Sequence, residues 1–186
     1  MKLSQLMKKE NAKAAADIFL IFLFYCVCGW IYEVALGFIQ GRGFINRGYL
    51  FGPWLPIYGF GAMMMLPFLK MKSKGPLAMF VATTAFATLI ELIASYAMEY
   101  FNGAWLWDYS DLPLNFQGRI AVWPSLRFGI LIMAMLDAVH PLLTGLLERI
   151  PWRVKRVLAS ILAVLFFADC IARLFYGSNL KDAALF

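Results

Sequence analysis

Long apolar runs separated by short charged segments dominate the chain. Four of them cover about 15–38, 77–101, 126–150 and 154–176, and a shorter one covers about 54–69. A helix rises about 1.5 Å per residue, so about 20 apolar residues span a hydrocarbon core of about 30 Å. The four long runs meet that length. The short one follows or contains Gly48, Gly52, Pro53, Pro56, Gly59 and Gly61, which interrupt regular helix. Read as a re-entrant element, it would carry Lys70, Lys72 and Lys74 to the side opposite the other basic segments. Read as an irregular crossing, it keeps them together. The pattern predicts an all-α, polytopic membrane bundle of about five transmembrane helices in one domain, 1–186, with outer loops at 39–53 and 102–125.

Composition agrees with that setting. Of 186 residues, 62% are hydrophobic and 15% charged, against about 45–50% and about 25% in soluble domains. The net charge of +6 reads as orientation rather than nucleic-acid binding, since short cytoplasmic loops collect Lys and Arg. With the N-terminus inside, Lys2, Lys8, Lys9, Lys13, Lys70, Lys72, Lys74, Arg149, Arg153, Lys155 and Arg156 lie inside, eleven of seventeen basic residues. Arg42, Arg47, Arg119, Arg127, Arg173 and Lys181 make up the six outside. The topology predicted is N-terminus cytoplasmic and C-terminus outside. The first run is too long for a signal-peptide core and reads as an uncleaved crossing.

Cys26, Cys28 and Cys170 lie within apolar runs and read as small buried hydrophobes, with no spacing that supports a metal site. Trp30, Trp54, Trp105, Trp107 and Trp123 fall at or beyond the outer helix ends, as an interfacial belt or the rim of a ligand site would require.

Acidic residues inside the crossings carry the most information. Glu33, Glu91, Asp137 and Asp169 each stand in one long run, and an ionised group at mid-bilayer costs about 2.5–3.5 kcal/mol unless paired inside the bundle. Helical rise puts Glu33 about 7 Å and Asp169 about 10 Å below the outer helix ends, with Glu91 and Asp137 near mid-membrane. Thr84, Thr88, Glu91, Ser95 and Glu99 repeat at helical spacing and define one polar stripe. Gly29, Glu33 and Gly37 allow close helix approach beside an acid. Asp137, His140 and Thr144 align on another stripe beside Pro141, and Asp169 and Arg173 stand at i and i+4. Two readings follow. The groups stitch the bundle, Asp169 with Arg173 and Glu33 or Glu99 with Arg47 or Arg119; or they line a hydrated outward pocket that binds a proton or cation. His140 could relay protons next to Asp137.

The motifs Gly29-Trp30-Ile31-Tyr32-Glu33, Asn46-Arg47-Gly48-Tyr49-Leu50 and Gly52-Pro53 to Pro56-Ile57-Tyr58-Gly59 resemble the bacterial family described as "Putative ABC-transporter type IV". So do Met98-Glu99-Tyr100, Trp107-Asp108-Tyr109-Ser110, Pro113, Asn115, Gly118-Arg119-Ile120 and His140-Pro141. The likeness runs from about Phe22 to Pro151, with Trp105-Leu106-Trp107 departing from the adjacent tryptophans of the pattern. It implies a polytopic bacterial plasma-membrane protein of transporter type and supplies no catalytic residue.

Its motifs coincide with the polar groups read from spacing. Asn46, Arg47, Trp107, Asp108, Tyr109, Asn115 and Arg119 are the outer-loop binding candidates. Asn46, Arg47, Asp108, Asn115 and Arg119 are expected to fold over a vestibule floored by Glu33, Glu91 and Asp169. The leading expectation is a permease or permease-like subunit, not an enzyme, that moves a small or lipid-like solute. The alternatives are an intramembrane enzyme acting on a lipid headgroup and an accessory subunit of a membrane complex. No resident cofactor or metal is expected beyond a proton or cation at the buried carboxylates. Expected partners are membrane lipid, a separate ATPase or other membrane subunit, or a second copy, with no nucleic acid.

Overall fold

A computed structural model describes residues 3–39, 41, 43–44, 46, 48, 50–105 and 107–176. Helix α1 spans Leu3–Ile39, α2 Pro56–Met65, α3 Pro76–Asn102, α4 Val122–Ala134, α5 His140–Arg149 and α6 Trp152–Tyr176. A 3-10 segment, Leu66–Lys74, follows α2, and a π turn, Met135–Val139, joins α4 to α5. The 103–121 loop carries a two-stranded antiparallel hairpin, β1 Asn115–Phe116 and β2 Ile120–Ala121.

Among the described residues four helical stretches are long and apolar enough to cross a membrane: Glu10–Ile39, Pro76–Phe101, Val122–Arg149 and Trp152–Phe175. The segment read as a second, irregular crossing does not reach that length as α-helix. Its α part has 10 residues, about 15 Å at helical rise. Pro67 lacks the N–H that would continue the ladder, and the chain tightens into 3-10 helix there. The helix expected from about 126 begins at Val122 instead, because Pro124 falls in its first turn, where no intrahelical N–H is required. Only 11–33% of each span is buried; the remaining apolar surface, such as Ile18, Val81 and Val164, suits hydrocarbon as solvent.

The chain divides into two compact units, each described by itself. The first combines the chain up to Met64 with the chain from Leu142. Its core is Phe22, Leu23, Cys26, Leu50 and Phe166. Phe22 packs its ring on Phe60 at 5.0 Å and on Phe166 at 5.8 Å, within the range of favourable edge-to-face pairs. The cysteines are free, Cys26 in the core. Where α2 crosses α1, the Leu55 N–H donates to the Cys26 carbonyl at 3.0 Å. This approach requires Gly59: a Cβ there would lie 2.5 Å from Cys26 Sγ and 2.7 Å from the Phe22 ring. Gly59→Ala is therefore expected to cost about 2 kcal/mol by overpacking. Gly61→Ala, with open space at its Cβ position, gains a few tenths through about 0.5–1 kcal/mol of helix propensity. Thermal melting of the two variants in one detergent checks the opposite signs.

The second unit runs from Met65 to Pro141. Met65, Met79 and Leu136 form its core, joined by Phe68, Phe86 and Ile132. At the α3–α4 crossing Gly129 faces Thr84 and Phe80 with no room for a Cβ, so two spans touch nearly backbone to side chain.

Candidate functional site

In the first unit, Asp169 on α6 is the organising acid. Its carboxylate accepts from the Phe51 N–H at 3.0 Å, the Gly52 N–H at 2.8 Å and the Trp54 indole N–H at 2.7 Å. The Gly- and Pro-rich segment before α2 lacks its own ladder, and this carboxylate satisfies donors that helix would otherwise use. Arg173, one turn on, lies over the Phe51 ring at 5.2 Å. Asn46 takes the Trp30 indole N–H at 2.7 Å and the Gly48 N–H at 3.1 Å on its oxygen, and donates to the Phe51 carbonyl at 3.1 Å. Glu33 accepts from the Tyr58 hydroxyl at 2.7 Å. Arg47 lies outside the described residues.

A pair not singled out from spacing also belongs to this unit. Lys155, with its side chain 10% exposed, stands 2.6 Å from Asp17 and joins α6 to α1. Asp17 opens the first apolar run and Lys155 sits in a basic cluster, so neither stood out as a charge in an apolar setting.

In the second unit the polar stripe of α3 meets the hairpin loop. Tyr109 donates its hydroxyl to Glu91 at 2.9 Å, and Tyr96 donates to Gln117 at 2.7 Å. Arg119 pairs with Glu99, and another of its N–H groups reaches the Ser95 hydroxyl at 3.4 Å. Its guanidinium is sandwiched between the rings of Tyr96 and Trp105, each centroid 4.0 Å away. Arg119 is only 5% exposed, so it acts as a clasp between loop and helix rather than a free anion-binding group. Of the pairings expected from sequence, Glu99 with Arg119 is present.

The loop folds itself by the same residue types. Asn115 donates to the Ser110 and Leu112 carbonyls at 3.2 and 2.7 Å and accepts the Gly118 N–H at 3.0 Å. Trp107 donates to the Arg119 carbonyl at 2.8 Å. Asp108 accepts from the Ser110 N–H at 2.9 Å and its hydroxyl at 2.6 Å. Those bonds hold its carboxyl below the usual carboxylate range. Leu114 and Gln117 adopt positive φ, 56° and 54°, an uncommon conformation for side chains of this kind. Of the five tryptophans read at outer helix ends, Trp30, Trp54 and Trp107 donate to protein acceptors and Trp105 stacks on Arg119. Trp123 is 61% exposed.

Asp137 sits in the π turn, 2.8 Å from Lys72 of the 3-10 segment, while its neighbour Leu136 packs on Met79 near the start of α3. The acid is therefore paired with a lysine beside the start of α3, while along its own helical stretch it stands near the middle of Val122–Arg149. Pro141 cannot donate to the residue 137 carbonyl, and the His140 N–H bonds to the Met135 carbonyl instead, the i to i+5 pattern of a π turn.

Between α3, the hairpin and the start of α4 lies a groove of about 560 Å³. Leu89, Leu92, Leu114, Phe116, Ile120 and Leu126 form apolar walls, with Thr84, Thr88 and Ser125 as its polar lining. The candidate acids do not line this groove, and the members of the expected vestibule are gathered within their own units: Glu33, Asn46 and Asp169 in one, Glu91, Asp108, Asn115 and Arg119 in the other. Among the described residues no group of three or more His, Cys, Asp or Glu side chains is arranged to hold a metal.

No curated protein and no solved structure matches the chain. A family model does, over residues 20–174, a range that takes in both units, the Asp169-held loop and the hairpin clasp. With four apolar membrane-length helices and that match, the chain is a membrane protein belonging to the family described as "Putative ABC-transporter type IV".

Proposed function

We propose that the chain is a permease-type component of a transport system in the bacterial plasma membrane, moving a small or lipid-like solute. The observation that carries this reading is the groove of about 560 Å³ whose walls are apolar. It is bordered by two helices of membrane-spanning length and by a hairpin loop clasped to α3 through Tyr109–Glu91 and Arg119–Glu99. A groove bordered by spans opens to hydrocarbon, and an apolar chain entering from the bilayer loses no water contacts it needs. With the N-terminus in the cytoplasm and α2 with the 3-10 segment counted together as a crossing, the arrangement the positive-inside count favours, the hairpin lies outside. The hairpin is then the element that closes the external end. Glu91, whose second carboxylate oxygen is buried without a partner, is the group suited to carry a coupling proton.

Leu92→Trp fills the groove. With the chain reconstituted in vesicles, it is expected to lower binding of a fluorescent acyl-chain phospholipid about fivefold or more, with melting unchanged. Equal binding by wild type and variant rejects the reading. Gentle purification from native membrane with mass spectrometry of the complex is expected to show an ATPase subunit in stoichiometric amount.

A second reading, an accessory subunit, has its own support. Glu33, Glu91, Glu99, Asp137 and Asp169 each bond to a residue within their own unit, as bundle-stitching groups do. A groove that binds no lipid probe in a chain still bound to its ATPase would favour it.

A further inference from the structure

We infer that the loop leading from α3 into the hairpin carries a binding site for an organic cation of the quaternary ammonium class, with Trp105 and Trp107 as aromatic walls and Asp108 as counter-charge. A cavity of about 320 Å³ opens to the surface there, lined among the described residues by Ala104, Trp105, Trp107 and Asp108. Small-molecule sites run from about 300 to 1,000 Å³, so this one suits a solute of headgroup size. None of the four residues lines the groove between α3 and α4, and the site stands or falls apart from the transport reading.

The walls have the polarity a cation requires. An indole is negative over its faces and positive at its edge, most of all at the N–H. The Trp107 N–H donates to the Arg119 carbonyl at 2.8 Å, and the Trp105 Nε1 is buried. Both N–H groups are thus withheld from the cavity, and ring carbon remains to line it. Trp105 already holds one cation in this way, the Arg119 guanidinium at 4.0 Å from its centroid. That charge is balanced by Glu99, so it leaves Asp108 uncompensated.

The Asp108 carboxylate is also fixed in place. Its Oδ1 accepts from the Ser110 N–H at 2.9 Å and the Ser110 hydroxyl at 2.6 Å. The same oxygen lies against Gly118, where a Cβ would come within 2.5 Å of it. Gly118 is itself tied down, donating to Asn115 at 3.0 Å and accepting from the Tyr109 N–H at 2.8 Å. With Oδ1 held on the loop side, Oδ2 is left for a ligand. Among the described residues no Lys or Arg lies at ion-pair distance from Asp108.

These features select the ligand. A fixed carboxylate repels anions. A primary ammonium brings three N–H donors, and the lining side chains offer one free acceptor oxygen. A methylated ammonium needs no acceptor, spreads its charge over its methyl groups and packs on indole carbon. That group occurs on a free solute such as choline and on the headgroup of phosphatidylcholine.

Equilibrium dialysis of labelled choline against the full chain in uncharged maltoside micelles tests the site. Wild type is expected to bind choline about tenfold more tightly than its uncharged tert-butyl analogue, and about fivefold more tightly than ethanolamine. Asp108→Asn keeps an oxygen for Ser110 and removes the charge, so choline affinity is expected to fall about tenfold with melting unchanged. Should that variant fold poorly, Ala104→Lys supplies the same test. Ala104 is exposed, and a lysine there sets a competing cation in the cavity without touching the Ser110 or Arg119 contacts. Repetition in phosphatidylcholine nanodiscs separates the two sources. Displacement of free choline by that bilayer assigns the site to a lipid headgroup, and undiminished binding assigns it to a free solute. Wild type that binds no choline overturns the site, as does equal affinity in a folded Asp108→Asn or Ala104→Lys variant, or for either analogue.

Discussion

Arg119→Ala is expected to release the hairpin loop from α3 and to lower stability by about 3 kcal/mol. The side chain contributes in two ways. Its charge pairs with Glu99, and its plane fills the slot between Tyr96 and Trp105. Breaking a fully buried pair costs about 3–5 kcal/mol, but Glu99 retains 44% side-chain exposure, so water compensates part of that loss. Two cation–π contacts at a partly desolvated site add about 0.5–2 kcal/mol each. Arg119→Lys keeps the charge and loses the planar stack, and is expected to recover less than half of the difference. Glu99→Gln, which leaves Arg119 stacked, is expected to cost about 1 kcal/mol. Melting in nanodiscs measures all three, and hydrogen exchange over 103–121 locates the opening. An Arg119→Ala protein that melts with wild type and keeps its hairpin protected contradicts the clasp.

Asp169→Ala is expected to cost about 3 kcal/mol and to loosen a segment more than a hundred positions away in sequence. Three donors converge on this carboxylate, from Phe51, Gly52 and Trp54. Charge-assisted bonds contribute about 1.5–3 kcal/mol each when buried; these are only partly buried, and about 1 kcal/mol each is the appropriate scale. Asp169→Asn keeps one acceptor oxygen and turns an N–H₂ toward donors, so about half the loss remains. Exchange protection at Gly52 and Leu55 should fall in parallel with the melting point. Faster exchange confined to α6 would instead mean that Asp169 serves its own helix.

Different kinds of information set the membrane class and the site. Four spans were readable because length and apolar composition act locally: the 25-residue helix Trp152–Tyr176 carries a membrane-length, predominantly apolar stretch whatever it touches. The polar stripe from Thr84 to Glu99 was readable for the same reason, since helical periodicity alone puts those residues on one face. Proline and glycine also act locally, yet their outcome depended on register. Pro124 fell in a first turn and was harmless, while Pro67 ended an α-helix that run length had carried to about 69.

What each polar group does required distant partners. Spacing put Asp169 beside Arg173, but three donors from the 51–54 segment occupy its carboxylate. Spacing put Asp137 on a stripe with His140 and Thr144, but its partner is Lys72 of the 3-10 segment, which no spacing within its own run could name. Arg119 was readable as functional by residue type, yet its burial between two rings is a property of the folded loop. Local pattern suffices for burial in lipid because every turn of helix meets the same solvent. A counter-charge is a single atom at a single place, and only the tertiary structure, by closing chain segments 20 to more than 100 residues apart, decides which atom that is.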